Sequence, residues 1–272
     1  MTTENIGFIG GGQMAEALIK GLTQSGSYPA ENIYVLDPSP ERKDFLTATY
    51  NINTIEDCGA AFATCQKIFL AVKPQVMSLV LQNCQGIINE DHLLITIAAG
   101  LPISSYVKTL ALPRLKIIRV MPNTPALVGQ SASALTASPY VSQEELDKVQ
   151  NIFNQIGTTT VLEECHLDAV TGLSGSGPAY VFSFIEALID AGVAEGLNRQ
   201  VSTNLALQTV AGSVELLRQN GEHPAVERAR VSSPGGTTIA ASKILERSGF
   251  QAIIMDAVAA ATEKSKELGK GK

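Results

Sequence analysis

The sequence predicts an α/β protein: an N-terminal doubly wound parallel sheet followed by an all-α C-terminal half. Three observations predict it. A short apolar run near the N-terminus breaks into consecutive glycines and then into a helical pattern; short apolar runs go on alternating with helical ones; and past residue 165 strand-like runs cease.

Ile6 to Ile9 reads as a strand, and Met14, Ala17, Leu18 and Leu22 recur at helical spacing behind the glycines. Ile33 to Leu36 is a second strand and Pro40 to Tyr50 a second helix, with proline near its start where a missing N–H costs nothing. Ile68 to Val72 is a buried strand, Val76 to Leu81 helical, Leu93 to Ile97 a strand, Ile103 to Leu110 helical and Ile117 to Val120 a strand, before the break Met121-Pro122-Asn123-Thr124-Pro125. Short buried strands alternating with helices imply parallel pairing. After Thr158 to Leu162 come helical runs over Leu167 to Thr171, Ala179 to Gly196, Thr203 to Asn220, Thr238 to Ser248 and Ala252 to Leu268. The domains are therefore placed at 1–165 and 166–272.

The chain of 272 residues is 45% hydrophobic and 17% charged, enough to bury a sizeable core. A formal charge of −6 argues against nucleic acid, whose phosphates are held by surplus Lys and Arg. Cys58, Cys65, Cys84 and Cys165 show no paired ligand spacing, and with three His in the chain no metal is expected. The opening Met1-Thr2-Thr3-Glu4-Asn5 lacks the basic flank and apolar core of an export signal, and the apolar runs fall short of the ~20 residues that span a bilayer. A soluble, cytoplasmic protein with reduced thiols and no membrane partner is the expectation.

Gly10-Gly11-Gly12-Gln13-Met14-Ala15 fits the G-x-G-x-x-A form of the dinucleotide fingerprint of Rossmann domains. Gly10 serves the tight turn, Gly12 lets a pyrophosphate approach, and Ala15 lets helix and strand pack closely. Asp37 follows at the end of the second strand, where a carboxylate usually bonds the ribose 2′-hydroxyl and favours NAD. Ser39 and Arg42 come directly after it, and a hydroxyl with a guanidinium suits a 2′-phosphate if Asp37 turns away. NADP is the expected cofactor, with NAD the alternative; a solvated surface role for Arg42 remains open.

Four segments are more particular: Phe69-Leu70-Ala71-Val72-Lys73-Pro74-Gln75, Arg119 to Pro125, Thr171-Gly172-Leu173-Ser174-Gly175-Ser176-Gly177-Pro178-Ala179-Tyr180, and Ser233-Pro234-Gly235-Gly236-Thr237-Thr238. Together with the glycine turn they resemble pyrroline-5-carboxylate reductase, in order and over essentially the whole chain. The resemblance implies a Rossmann domain followed by a helical dimerisation domain, and NAD(P)H-dependent reduction of a cyclic imine acid in the last step of L-proline synthesis. It also implies homodimers, often assembled further into rings of dimers.

For the site, the expected cofactor residues are Gly10, Gly12, Gln13, Met14, Ser39, Arg42, Ala71, Val72, Lys73, Pro74 and Asn123. Lys73 is expected to position cofactor, since an ordinary lysine is too basic for proton transfer unless desolvated. Asn123 either lines the cleft, as the resemblance implies, or makes an Asx-turn between its prolines. Ser176, Ser233, Gly236, Thr237 and Thr238 are expected to hold substrate: glycine loops opening helices can offer N–H donors to a carboxylate, and the resemblance implies that Ser233 and the Gly236, Thr237 and Thr238 backbone hold it. By resemblance, Thr238 Oγ hydrogen-bonds the ring nitrogen and is the catalytic group. One departure is Asp57-Cys58-Gly59, where the family commonly carries Asn at the adenosine end.

Two other readings compete. A 3-hydroxyacid dehydrogenase shares the plan and opens its helix with G-x-x-G-x-G-x-x-x-K; Gly172, Gly175 and Gly177 match, but Val181 stands where the proton-accepting lysine belongs. A non-catalytic NAD(P)-binding regulator is the second, since fold alone does not prove catalysis.

Overall fold

A computed structural model describes residues 4–269. They form two compact units, one comprising the chain up to Ser176 together with the residues from Ala260 onward, the other Gly177–Ala259.

The first unit is built on one eight-stranded sheet of β1 (Ile6–Ile9), β2 (Ile33–Leu36), β3 (Asn53–Thr54), β4 (Lys67–Leu70), β5 (Leu93–Thr96), β6 (Lys116–Met121), β7 (Ser131–Ala137) and β8 (Gly157–Val161). Its order is β3-β2-β1-β4-β5-β6-β7-β8. Every pair is parallel except β6 with β7, so the sheet is the parallel one expected from the sequence with one antiparallel return. The hairpin-like return is permitted because the connection after β6 is a short 3-10 turn, Thr124–Val128, instead of a crossover helix.

The helices of this unit are α1 (Gln13–Ser25), α2 (Pro40–Tyr50), α3 (Cys58–Thr64), α4 (Pro74–Asn83), α5 (Ile103–Leu110), α6 (Gln143–Asn154) and α7 (Leu167–Val170). Strand periodicity splits the core into two layers. Phe8 and Phe69 stack on one face with ring centres 4.6 Å apart and join Leu18, Leu22 and Phe153. Ile9, Ile68 and Leu70 point to the other face and join Phe62, Met77, Leu81 and Tyr106. β3, β7, α3 and α6 lie outside the elements expected from the sequence pattern. β7 is the least strand-like of these, Ser-Ala-Ser-Ala-Leu-Thr-Ala, and is held by antiparallel pairing with β6 from Ile118 opposite Ala137 to Met121 opposite Ala134.

Behind α7 the helix widens over Thr171–Gly175, where the Ser176 N–H reaches back five residues to the Thr171 carbonyl at 2.8 Å. The end of the chain returns to this unit through Ser265, buried, whose hydroxyl donates to Asp168 Oδ1 at 2.6 Å.

The second unit is helical throughout: α8 (Gly177–Ala194), α9 (Arg199–Asn220), α10 (Pro224–Arg230), α11 (Thr237–Arg247) and the first part of α12 (Phe250–Gly269). Asn198 caps α9 by accepting the Val201 N–H at 2.9 Å. A Cβ on Gly192 would stand 2.7 Å from Ser202 Oγ, so the glycine is what lets α8 and α9 approach.

Candidate active site

Strand order reverses at β1, which pairs with β2 on one side and β4 on the other; in open α/β sheets ligands bind beyond the carboxyl ends of strands at this point. The glycine turn leaves β1 there, and Ala71 to Pro74 leaves β4 there. Gly10 has φ +100°, and a Cβ on it would stand 2.6 Å from the Ala71 carbonyl oxygen and 2.9 Å from Val72 Cγ1. The two segments thus touch backbone to backbone, and Ala71 and Val72 are fixed beside the turn.

Gly12 differs. It is the N-cap of α1 with an ordinary φ of −67°, it is exposed, and a Cβ there would meet nothing within 4 Å. Neither backbone strain nor packing requires glycine at this position; what the missing Cβ leaves is open space in front of a helix N-terminus. No side chain caps that terminus, so the N–H groups of Gln13 and Met14 are free of side-chain acceptors and the helix dipole favours an anion.

Asp37 ends up turned inward. Its Oδ2 accepts the Gly11 N–H at 2.7 Å and its Oδ1 the Ser39 N–H at 2.9 Å, so each carboxylate oxygen already holds a backbone amide of the turn or of the next loop. Ser39 caps α2 by accepting the Arg42 N–H at 3.1 Å, and its own hydroxyl donates to Glu41 at 2.8 Å; that bond holds the Glu41 carboxyl below its ordinary range. Arg42 is no free surface arginine. Its Nε donates to the Gly11 carbonyl, its Nη2 to Glu16 Oε2 at 2.5 Å, and its guanidinium lies 5.1 Å from the centre of the Phe45 ring. Glu16 and Tyr50, whose hydroxyl donates to Glu16 Oε1 at 3.0 Å, were not found from sequence.

Lys73 is the exposed N-cap of α4, with Pro74 at the first helical position. Asn123 has most of its carboxamide engaged: Oδ1 accepts the Ser131 hydroxyl at 3.2 Å and the Ala132 N–H at 3.0 Å, and Nδ2 donates to the Ser174 carbonyl at 3.0 Å. It therefore ties the widened turn 171–175 to the β6–β7 connection. At the same turn, a Cβ on Gly175 would collide with Met121 Cε, so glycine there admits the end of β6. Ser176 is half-buried at the end of this segment.

The helical unit carries the loop Ser233 to Thr238. Gly235 has φ +67°, and Gly236 is the N-cap of α11, with no side-chain cap. The Gly236 N–H donates to the Ser233 carbonyl at 3.0 Å, and the missing Cβ of Gly236 leaves room for the Ser233 hydroxyl beside it. Thr237 is exposed and Thr238 half-buried on the first turn of α11. The loop thus offers three hydroxyl side chains, Ser233, Thr237 and Thr238, and uncapped helical N–H groups, a donor set for a carboxylate.

Among the described residues, α8, α10 and α11 bury no side chain fully, while Phe182, Leu205, Ile244, Ile253 and Met255 are exposed. So much exposed apolar surface marks an interaction face. Glu163, Cys165 and His166 bring their ligand atoms within 4.8 Å of one another, all exposed at the 3-10 turn Glu164–His166, a trio that has no paired ligand spacing in the sequence.

Family comparisons agree with this geometry. Residues 164–268 match the model described as pyrroline-5-carboxylate reductase dimerisation, and residues 5–100 the model described as NADP oxidoreductase coenzyme F420-dependent. The chain is 45% identical to the pyrroline-5-carboxylate reductase of Synechocystis sp., over 97% of this chain and 98% of that protein. It is 41% identical to that of Escherichia coli, over 98% and 99%. A crystal structure of Plasmodium falciparum pyrroline carboxylate reductase with NADP bound superposes with a TM-score of 0.90 at 36% identity, over 99% of both chains. Full-length identity at this level, a matched dimerisation segment and a dinucleotide turn at the switch point have one reading in common: the chain belongs to the pyrroline-5-carboxylate reductase family.

Proposed function

We propose that this chain reduces the C=N bond of 1-pyrroline-5-carboxylate to give L-proline, the last step of proline biosynthesis, with NADPH preferred over NADH. The observation that carries it is Gly12: a glycine that neither conformation nor packing demands, opening space before the uncapped N-terminus of α1 at the switch point of the sheet.

Gly10, Gly12, Gln13 and Met14 receive the pyrophosphate on backbone N–H groups. Ser39 and Arg42 receive the 2′-phosphate; the inward turn of Asp37 supports this, because its two oxygens are held by Gly11 and Ser39 amides. Ala71, Val72, Lys73, Pro74 and Asn123 line the nicotinamide half. When bound, the reduced nicotinamide supplies the hydride. Ser233 and the Gly236, Thr237 and Thr238 backbone grip the substrate carboxylate, and Ser176 is a further substrate-binding residue. The Thr238 Oγ hydroxyl donates a hydrogen bond to the ring nitrogen, drawing charge from the imine carbon and fixing it for attack; the hydride goes to that carbon, and the proton that completes the amine comes to the nitrogen from solvent. Every role is one of position and hydrogen bonding, and no general base is required, in keeping with Val181 at the place where a hydroxyacid dehydrogenase carries lysine.

The partner is a second copy of this chain, docked through the exposed apolar faces of the helical unit, with assembly into a ring of dimers a further step. The helical stretch Glu164–Ala194 is long and apolar enough to cross a membrane by length and composition, with mean hydropathy 1.2. It falls within the segment that matches the dimerisation model, which supports cover by a second copy of the chain; the enzyme proposed is cytoplasmic, with no membrane or nucleic-acid partner. The direct test is NAD(P)H oxidation on addition of pyrroline-5-carboxylate, with proline identified as product. Turnover with both cofactors is expected, with NADPH giving the higher kcat/KM; binding without turnover would favour a regulator, and an NADH preference above tenfold would remove the phosphate role of Ser39 and Arg42.

A further inference from the structure

The cation beside the cofactor turn is already neutralised. Arg42 reaches across from α2 and meets Glu16 on the first turn of α1, with both side chains about a quarter exposed. Glu16 is held in place from its other side by the Tyr50 hydroxyl. Removing Glu16 would not set Arg42 adrift, because the guanidinium has three further restraints: Nε on the Gly11 carbonyl, Nη2 on the Gly12 carbonyl at 3.4 Å, and the Phe45 ring beneath it. What Glu16 adds is therefore chiefly charge. A phosphate bound to Arg42 must share it with a carboxylate lying well inside the Debye length, in a place too sheltered for full screening. A 2′-hydroxyl carries no charge and incurs no such penalty.

We propose that Glu16 is a specificity-determining residue of this enzyme, limiting its preference for the 2′-phosphorylated cofactor by neutralising Arg42 from the first turn of α1. The inference rests on the reading that Ser39 and Arg42 receive the 2′-phosphate. Discrimination here comes from a repulsive element placed beside an attractive one.

The test is calorimetric titration of the full-length enzyme with NADPH and NADH, repeated with adenosine 2′,5′-bisphosphate and AMP as fragments. Glu16→Gln keeps the size of the side chain and an acceptor for Tyr50 while removing the charge. It is expected to tighten NADPH and the bisphosphate at least fivefold and to leave NADH and AMP within twofold. Glu16→Ala is expected to move the ratio in the same direction, and an unchanged melting temperature checks folding. In an Arg42→Ala background Glu16→Gln should shift neither cofactor selectively, since it acts through that arginine. Equal shifts for both cofactors, no shift, or a weakened NADPH would overturn the inference. If Arg42→Ala alone leaves the NADPH to NADH ratio unchanged, the phosphate reading itself falls; if Arg42→Ala changes the ratio and Glu16→Gln does not, only the role of Glu16 falls.

Discussion

Asp37 Oδ2 accepts the Gly11 N–H at 2.7 Å, joining the end of β2 to the glycine turn after β1. The carboxylate that sequence convention assigns to the ribose is thereby part of the turn's own scaffold. Asp37→Ala removes the acceptor for two amides at once. A loss of about 1–3 kcal/mol of stability is expected, together with weaker binding of both cofactors. Thermal unfolding and titration with NADPH and NADH check this; a loss confined to NADH would instead mark Asp37 as a ribose ligand.

Gly10 and Gly12 should respond in opposite ways to the same change. Gly10→Ala forces a Cβ onto the Ala71 carbonyl at a positive φ, so the protein should be destabilised by about 2 kcal/mol or more. Gly12→Ala meets open space at an ordinary φ, so the protein should melt near the parent temperature and yet lose at least tenfold in cofactor affinity. Normal affinity in folded Gly12→Ala would falsify its place under the pyrophosphate.

Thr238→Ala should lower kcat/KM for the imine at least ~10-fold, about 1.4 kcal/mol of transition-state interaction, with NADPH affinity hardly changed. Steady-state kinetics beside a cofactor titration reads both; unaltered turnover rules out the hydrogen bond to the ring nitrogen.

At the amino end of the sheet, the hydrogen bond from the buried Lys67 ammonium holds the Glu4 carboxyl below its ordinary range, against a smaller opposing effect of burial. A carboxyl depressed in the folded state stabilises above its unfolded pKa, near 4.5, and that contribution is lost as pH falls through the lower folded value. Glu4→Gln should therefore cost about 1 kcal/mol at neutral pH, discounted because Glu4 is exposed, and the difference from the parent should shrink as pH falls below about 4.5 and close once pH passes the lower folded value. Urea unfolding across pH 3 to 7 (roughly the span of that titration) measures it.

Ile253→Asp, on the exposed apolar face of α12, should shift the mass in solution toward the monomer and lower activity at dilution. Light scattering decides: an unaltered mass removes this face from the interface.

Much of the fold is legible in the chain because its signals are local. The glycine turn is read correctly because strand, glycines and helix are contiguous, and α5 because its apolar positions repeat at helical spacing. β7 is not legible, since serine and alanine give no strand signal and the Ser131 hydroxyl is satisfied outside the strand, by Asn123 Oδ1. α6 did carry a signal that was passed over, Ser142 and Glu145 in a reciprocal capping box. In the site, the backbone positions and the loop Ser233 to Thr238 come from motif, whereas Glu16 and Tyr50 belong to no motif and are found only through Arg42.

By itself the sequence determines most of the alternating strands and helices, the dinucleotide turn and the hydroxyl-rich glycine loop Ser233 to Thr238, because each is a short run whose steric and hydrogen-bonding demands are met by its neighbours. Only the tertiary structure decides that Asp37 faces inward and that Arg42 spends its charge on Glu16. Those partners lie on separate elements, α1, β2 and α2, and it is the parallel pairing of β1 with β2 that brings them within hydrogen-bonding reach.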